Sequence, residues 1–140
     1  MSEVLVVEDD LLIADLLQCA LKAGGYNISG VARTVAEAKE SAERHPPDFA
    51  VIDIRLADGN LGTELGAYLR NTTPGPGIMY STGNGADAGL SKLDGDAVMT
   101  KPYRLHDVAR ALDIIEQLRR SGQTHLRFPR NFRLLDPPAS

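Results

Sequence analysis

At 140 residues the chain has the length of one domain, large enough to bury a core without staples. It is 43% hydrophobic and 24% charged, ordinary for a globular protein, and its single Cys19 excludes an intrachain disulfide and fits a reducing cytosol. A net charge of −4 argues against nucleic-acid binding by the main body. No window is long enough to span a bilayer and no basic, apolar leader precedes the first strand, so a cytoplasmic protein without membrane contact is expected.

Strand and helix alternate along the chain. Residues 4–7 form a continuous apolar run, the pattern of a strand covered on both faces. Residues 10–23 predict a helix whose stripe is Leu12, Ile13, Leu16, Leu17, Ala20 and Leu21, with Cys19 on it as a core residue. Gly24 and Gly25 close that helix. A second strand follows over 26–32. The capping box Thr34-Val-Ala-Glu37 opens a helix that runs to about Arg44 and stops at Pro46-Pro47.

Residues 49–54 read as the third strand and 63–70 as the third helix, before the breaker at 72–77. Residues 78–82 are the fourth strand. The stretch 84–96 is rich in Gly, Ala and Asp, so any helix there is expected to be short and loosely held. Residues 97–100 form the fifth strand. A strong amphipathic helix follows over 105–120, with Leu105, Val108, Ala109, Leu112, Ile115 and Leu118 on its stripe. Five strands alternating with helices imply right-handed crossovers and a parallel, doubly wound α/β sheet.

Asp53 stands out within this frame. It is a lone carboxylate at the end of an apolar, β-branched run, where burial costs several kcal/mol, roughly, unless a cation or hydrogen bonds compensate. Three other apolar runs also end in polar groups: Glu8-Asp9-Asp10, Ser81-Thr82 and Thr100-Lys101. Ligands of open α/β sheets sit beyond the carboxyl ends of the strands, where Glu8, Asp9, Asp53, Thr82 and Lys101 all belong.

The motifs Val6-Val-Glu-Asp-Asp10, Val51-Ile-Asp-Ile54, Asp58-Gly59, Ser81-Thr-Gly83 and Lys101-Pro-Tyr103 resemble, in order and spacing, the receiver domain of two-component response regulators, over roughly residues 1–121. The resemblance implies a flavodoxin-like five-stranded parallel sheet in the order 2-1-3-4-5, which the handedness rules alone leave open. It implies a single-domain regulator in which Asp53 accepts a phosphoryl group from a sensor histidine kinase or a histidine phosphotransfer protein. It also implies Mg²⁺ held by Asp9, Asp53 and the Arg55 carbonyl, with Glu8 acting mostly through water. Lys101 would pair with a phosphoryl oxygen, the Lys101–Pro102 bond would be cis, and Thr82 would supply the switch hydroxyl. Family members usually carry an aromatic ring three residues before the lysine. Here that position is Val98, so ring rotation cannot be the coupling device and residues 84–96 are the candidate to rearrange. Arg55 and Asn84 are expected to flank the phosphoryl group.

The residues themselves fit that chemistry. A carboxylate can attack phosphorus to give an acyl phosphate. Phosphoryl transfer otherwise needs positioning and charge neutralisation, and an all-oxygen ligand set with room for water suits Mg²⁺. Two rivals stand beside this reading. A pseudo-receiver, a phosphorylation-independent interaction module of the same fold, would normally lack an acid or the lysine. A hydrolase of the aspartyl-phosphate type would need a second acid two residues past Asp53, and that residue is Arg55. Plain readings are Asp10 favouring the first helix N-terminus and His45 and His106 as solvent-facing side chains.

Residues 122–140 form a C-terminal extension that interleaves Arg127, Arg130 and Arg133 with Leu126, Phe128, Phe132 and Leu134. It is too short for a helix-turn-helix output domain. A disordered tail, an arm that crosses to a second subunit to make a homodimer, and a basic-aromatic contact to nucleic acid all stay open.

Overall fold

Each apolar run predicted as a strand joins one sheet. The computed structural model describes residues 2–56, 62–73, 75–83 and 89–137. In chain order the elements are β1 (Glu3–Val7), α1 (Leu11–Ala23), β2 (Asn27–Ala32), α2 (Val35–Arg44), β3 (Phe49–Asp53), α3 (Gly62–Arg70), β4 (Gly77–Thr82), β5 (Ala97–Thr100), α4 (Asp107–Ser121) and β6 (Phe132–Leu134). The strand order is β2-β1-β3-β4-β5-β6. The first five strands are parallel, in the expected 2-1-3-4-5 order, and β6 adds an antiparallel edge.

Alternate side chains of the strands divide the core in two. Val4, Val6, Val51, Met79 and Met99 meet α1 and α4 on one face. Leu5, Val7, Ile52, Ile78, Tyr80 and Val98 meet α2 and α3 on the other. Two-face burial explains why β1, β3 and β4 read as unbroken apolar runs. The helix starts follow their caps. The Asp10 Oδ1 accepts the Leu12 and Ile13 amides at 3.0 and 3.2 Å, and the Thr34 Oγ1 accepts the Glu37 amide at 3.1 Å. Among the described residues no helix is long and apolar enough to cross a membrane, and residues 89–96 form turns with no helix.

The predicted stripe of α1 needs correction. The helix buries Ala14, Leu17 and Leu21, while Leu11, Leu12 and Leu16 stay 58%, 68% and 45% exposed. Cys19, expected in the core, is exposed as well. The reason is position: α1 lies over β1 and β2 and touches α4. Only the arc facing the sheet and α4 is covered.

Residues 124–137 are not a loose tail: they fold back onto the chain they belong to. Phe132, Arg133 and Leu134 pair with Met99, Val98 and Ala97. Phe132 enters the α1/α4 core and Leu135, 1% exposed, the α2/α3 core. The Leu135 amide donates to the Asp96 carbonyl at 3.0 Å and the Lys92 amide to the Asp136 carbonyl at 2.8 Å. At the other end Asn131 takes a left-handed φ of 66°, and its Nδ2 donates to the Pro102 carbonyl at 2.6 Å.

Beneath the sheet, Gly66 of α3 faces the hydroxyl of Tyr80, which donates to the Asp94 carbonyl at 2.7 Å. A Cβ at Gly66 would occupy the space of that hydroxyl. In an open helix Gly→Ala gains up to about 1 kcal/mol. Here overpacking reverses the sign, and Gly66→Ala is expected to cost about 2 kcal/mol in urea unfolding. Adding Tyr80→Phe should recover part of that loss; a stabilised single variant would show that the contact yields freely.

Candidate functional site

The carboxyl ends of β1, β3, β4 and β5 bring the predicted residues to one place. Asp53 ends β3 and is buried, with its Oδ2 3.3 Å from the Lys101 Nζ and its Oδ1 accepting the Arg55 amide at 3.0 Å. Lys101 follows β5, and its amide donates to the Thr82 carbonyl at 2.7 Å, which fixes the ends of β4 and β5 relative to each other. Glu8 and Asp9 follow β1, and oxygens of Glu8, Asp9 and Asp53 lie within 4.8 Å of one another. The Lys101–Pro102 peptide is cis, as expected.

Electrostatics follow from that crowding. Burial, and then the negative charge of Asp53, push the Glu8 carboxyl up to about 8, although the Asp10 amide bound to it at 3.1 Å acts the other way. Burial by itself would lower Lys101, but the charges of Asp53 and Glu8 outweigh it and hold the ammonium above its usual range. Three carboxyl groups, with Glu8 holding its proton, therefore share one ammonium. An all-oxygen cluster with this surplus of negative charge fits a hard dication such as Mg²⁺.

Thr82 is buried at the end of β4, and its hydroxyl donates to the Gly83 carbonyl at 2.9 Å. Val98 is fully buried against the α2/α3 core. Asp58, Gly59 and Asn84, singled out in the sequence, lie outside the described residues.

The profile of the response regulator receiver domain matches residues 4–113. The chain belongs to the receiver family. Receiver domains are phosphorylated by histidine kinases or phosphotransfer proteins, typically with Mg²⁺ at an acidic site, and act as signalling switches more than as classical enzymes. Among curated proteins this receiver is 35% identical over 111 residues to the photosynthetic apparatus regulatory protein RegA of Cereibacter sphaeroides, a match spanning 77% of this chain and 59% of RegA. The chain spans about half the length of the curated relatives it matches. Among solved structures, SdrG from Sphingomonas melonis Fr1 is 28% identical at a TM-score of 0.67, covering 83% of this chain and 97% of SdrG. The signal receiver domain of a modulated diguanylate cyclase from Desulfovibrio desulfuricans G20 is 26% identical at a TM-score of 0.72, covering 88% of this chain and 99% of that domain.

Three supporting contacts of this receiver are not apparent from the sequence. The Tyr103 and Ser81 hydroxyls are 2.9 Å apart and link the loop after Lys101 to β4 beside Thr82. Gly62 opens α3 so close to β3 that a Cβ there would strike the Asp53 carbonyl. Asn131 bonds Pro102 from the extension. Tyr103 stood within a quoted motif, yet nothing in the sequence said which way its ring turns.

Proposed function

We propose that this receiver is a phosphoacceptor switch. The Asp53 carboxylate attacks the phosphorus of a phosphohistidine on a sensor histidine kinase or histidine phosphotransfer protein. An O–P bond forms, the P–N bond breaks, and its electron pair stays on the imidazole nitrogen. The observation that supports this best is the grouping of Asp53 with the Lys101 ammonium at 3.3 Å and the Glu8 and Asp9 carboxylates within 4.8 Å.

Asp9, Asp53 and the Arg55 main-chain carbonyl would hold Mg²⁺ directly, with Glu8 reaching it mostly through water. Bound there, the ion would neutralise charge on the phosphoryl oxygens. Lys101 transfers its ammonium from the Asp53 carboxylate to a phosphoryl oxygen. The Thr82 hydroxyl leaves the Gly83 carbonyl for another, drawing the end of β4 inward. The chemistry ends with the chain's own phosphorylation and dephosphorylation, and the output is a protein–protein contact. Arg55, where aspartyl-phosphate hydrolases need a second acid, speaks against turnover of an external substrate. The complete set of two acids, acceptor, hydroxyl and lysine speaks against a pseudo-receiver.

Intact mass after incubation with acetyl phosphate and Mg²⁺ tests this. The expected result is a gain of about 80 Da, one phosphoryl group, that is absent in Asp53→Asn and without metal. No adduct on the parent chain would overturn the proposal in favour of the phosphorylation-independent module.

A further inference from the structure

The extension does more than add a strand: with α4 it walls a cleft whose charge is opposite to that of the chain as a whole. A cavity of about 540 Å³ runs between the start of α4 and residues 126–130, and a second of about 520 Å³ continues to Pro102 and Tyr103. Arg104, Arg110, Arg127 and Arg130 line them, with His106 beside them. The two acids in the walls are already engaged. Asp107 sits 3.4 Å from the Arg104 Nε and 3.6 Å from the His106 Nε2, and Asp113 accepts the Tyr26 hydroxyl at 2.5 Å. Arg110, Arg127 and Arg130 are exposed, and none has a carboxylate at ion-pair distance among the described residues.

Three guanidinium groups held without carboxylates on a chain of net charge −4 form a local anion-binding surface. Apolar groups interrupt it. Phe128, 43% exposed, stacks edge-on against Phe132 and lines the cleft with Leu126 and Pro129. Guanidinium groups around an apolar floor match carboxylate side chains spaced by an aliphatic one. A long phosphodiester polymer fits less well. It would run from this cleft over the mouth formed by Glu8, Asp9 and Asp53, because Pro102 and Tyr103 adjoin both.

We infer that the cleft between α4 and the C-terminal extension is a docking site for a short acidic, leucine-bearing segment of a partner protein. Docking there does not require phosphoryl transfer, so Asp53→Asn should bind like the parent chain.

The test is fluorescence anisotropy with a fluorescein-labelled oligoglutamate peptide carrying one central leucine, at low salt. The expected result is saturable binding, weakened about 10-fold by Arg127→Glu with Arg130→Glu. Arg33→Glu with Arg44→Glu changes net charge equally at a distant surface and should have less than about a 2-fold effect. Amide shifts in NMR spectra should fall on Arg110, Leu126, Arg127 and Arg130. Equal weakening by both pairs would reduce the effect to bulk charge and overturn the proposal. So would tighter binding of a single-stranded oligonucleotide, displacement of the peptide by inorganic phosphate alone, or no binding at all.

Discussion

Lys101→Met should slow phosphoryl uptake from acetyl phosphate by about 10²–10³-fold, the usual loss when one fixed charge that stabilises a transition state is removed. Methionine keeps the length of the side chain and removes only the ammonium, which sits 3.3 Å from the Asp53 Oδ2. The same change should make stability respond to pH over a wider range. In the folded chain Glu8 keeps its proton to about pH 8, against an ordinary value of 4.5. Between those values the folded chain binds more protons than the unfolded one, so stability present near pH 4.5 is lost as pH rises towards 8. The Lys101 ammonium has its raised value at the alkaline end and adds no slope of its own in this window. Removing it should push release of the Glu8 proton higher still, so the fall in Tm should continue past pH 8 where the parent levels off. Saturating Mg²⁺ should flatten the profile of the parent. Thermal melts through and beyond that range, paired with intact-mass time courses, check both parts. An unchanged uptake rate would remove Lys101 from the transfer step, and a flat metal-free profile would mean that Glu8 is solvated and ordinary.

Ending the chain at Gly122 should destabilise it by about 4 kcal/mol or more and make it associate. The deletion removes Phe132 and Leu135, one from each side of the core, and single truncations of such side chains to alanine cost about 2–5 kcal/mol each. It also strips β5 of its antiparallel partner. The main chain of Ala97–Thr100, with Val98 and Met99 fully buried in the intact protein, then becomes an uncovered sheet edge. Unpaired edges of that composition recruit other strands. An arm holding two subunits together would give the opposite outcome, smaller particles after truncation. Urea unfolding and light scattering on the two chain lengths separate the possibilities, and equal stability with a fall in mass would favour the arm.

β1, β3 and β4 were legible because each is a short apolar run closed by a turn signal or a polar cap and buried on both faces, whereas β2, a half-exposed edge strand, rests on its position between two helices. The site was legible for a related reason. A carboxylate such as Asp53 or a lysine such as Lys101 is conspicuous at the end of an apolar run. The rotation of α1 was not legible, because leucines at 11, 12, 16, 17 and 21 surround most of the helix and only the position of α4 decides which are covered. β6 was not legible because three paired residues, Phe132–Leu134, are too few to show a period of two. Asp96 looked like part of a loop because its partners are Arg70 and Arg119, 26 and 23 residues away.

That carboxylate lies at the end of β5 remote from Asp53. Its Oδ1 meets the Arg70 guanidinium of α3 at 3.2 Å, and its Oδ2 meets Arg119 of α4 at 3.4 Å and the Ile78 amide of β4 at 2.8 Å. One buried anion thus rivets helices from opposite layers to a central strand, and Arg119 extends the rivet to the Gly75 and Pro76 carbonyls at 2.7 and 2.9 Å. The two ends of the sheet consequently differ in mechanical compliance. Amide exchange should accordingly be slowest around Ile78 and Asp96 and faster beside Lys101, as expected of an anchored end and a freer one.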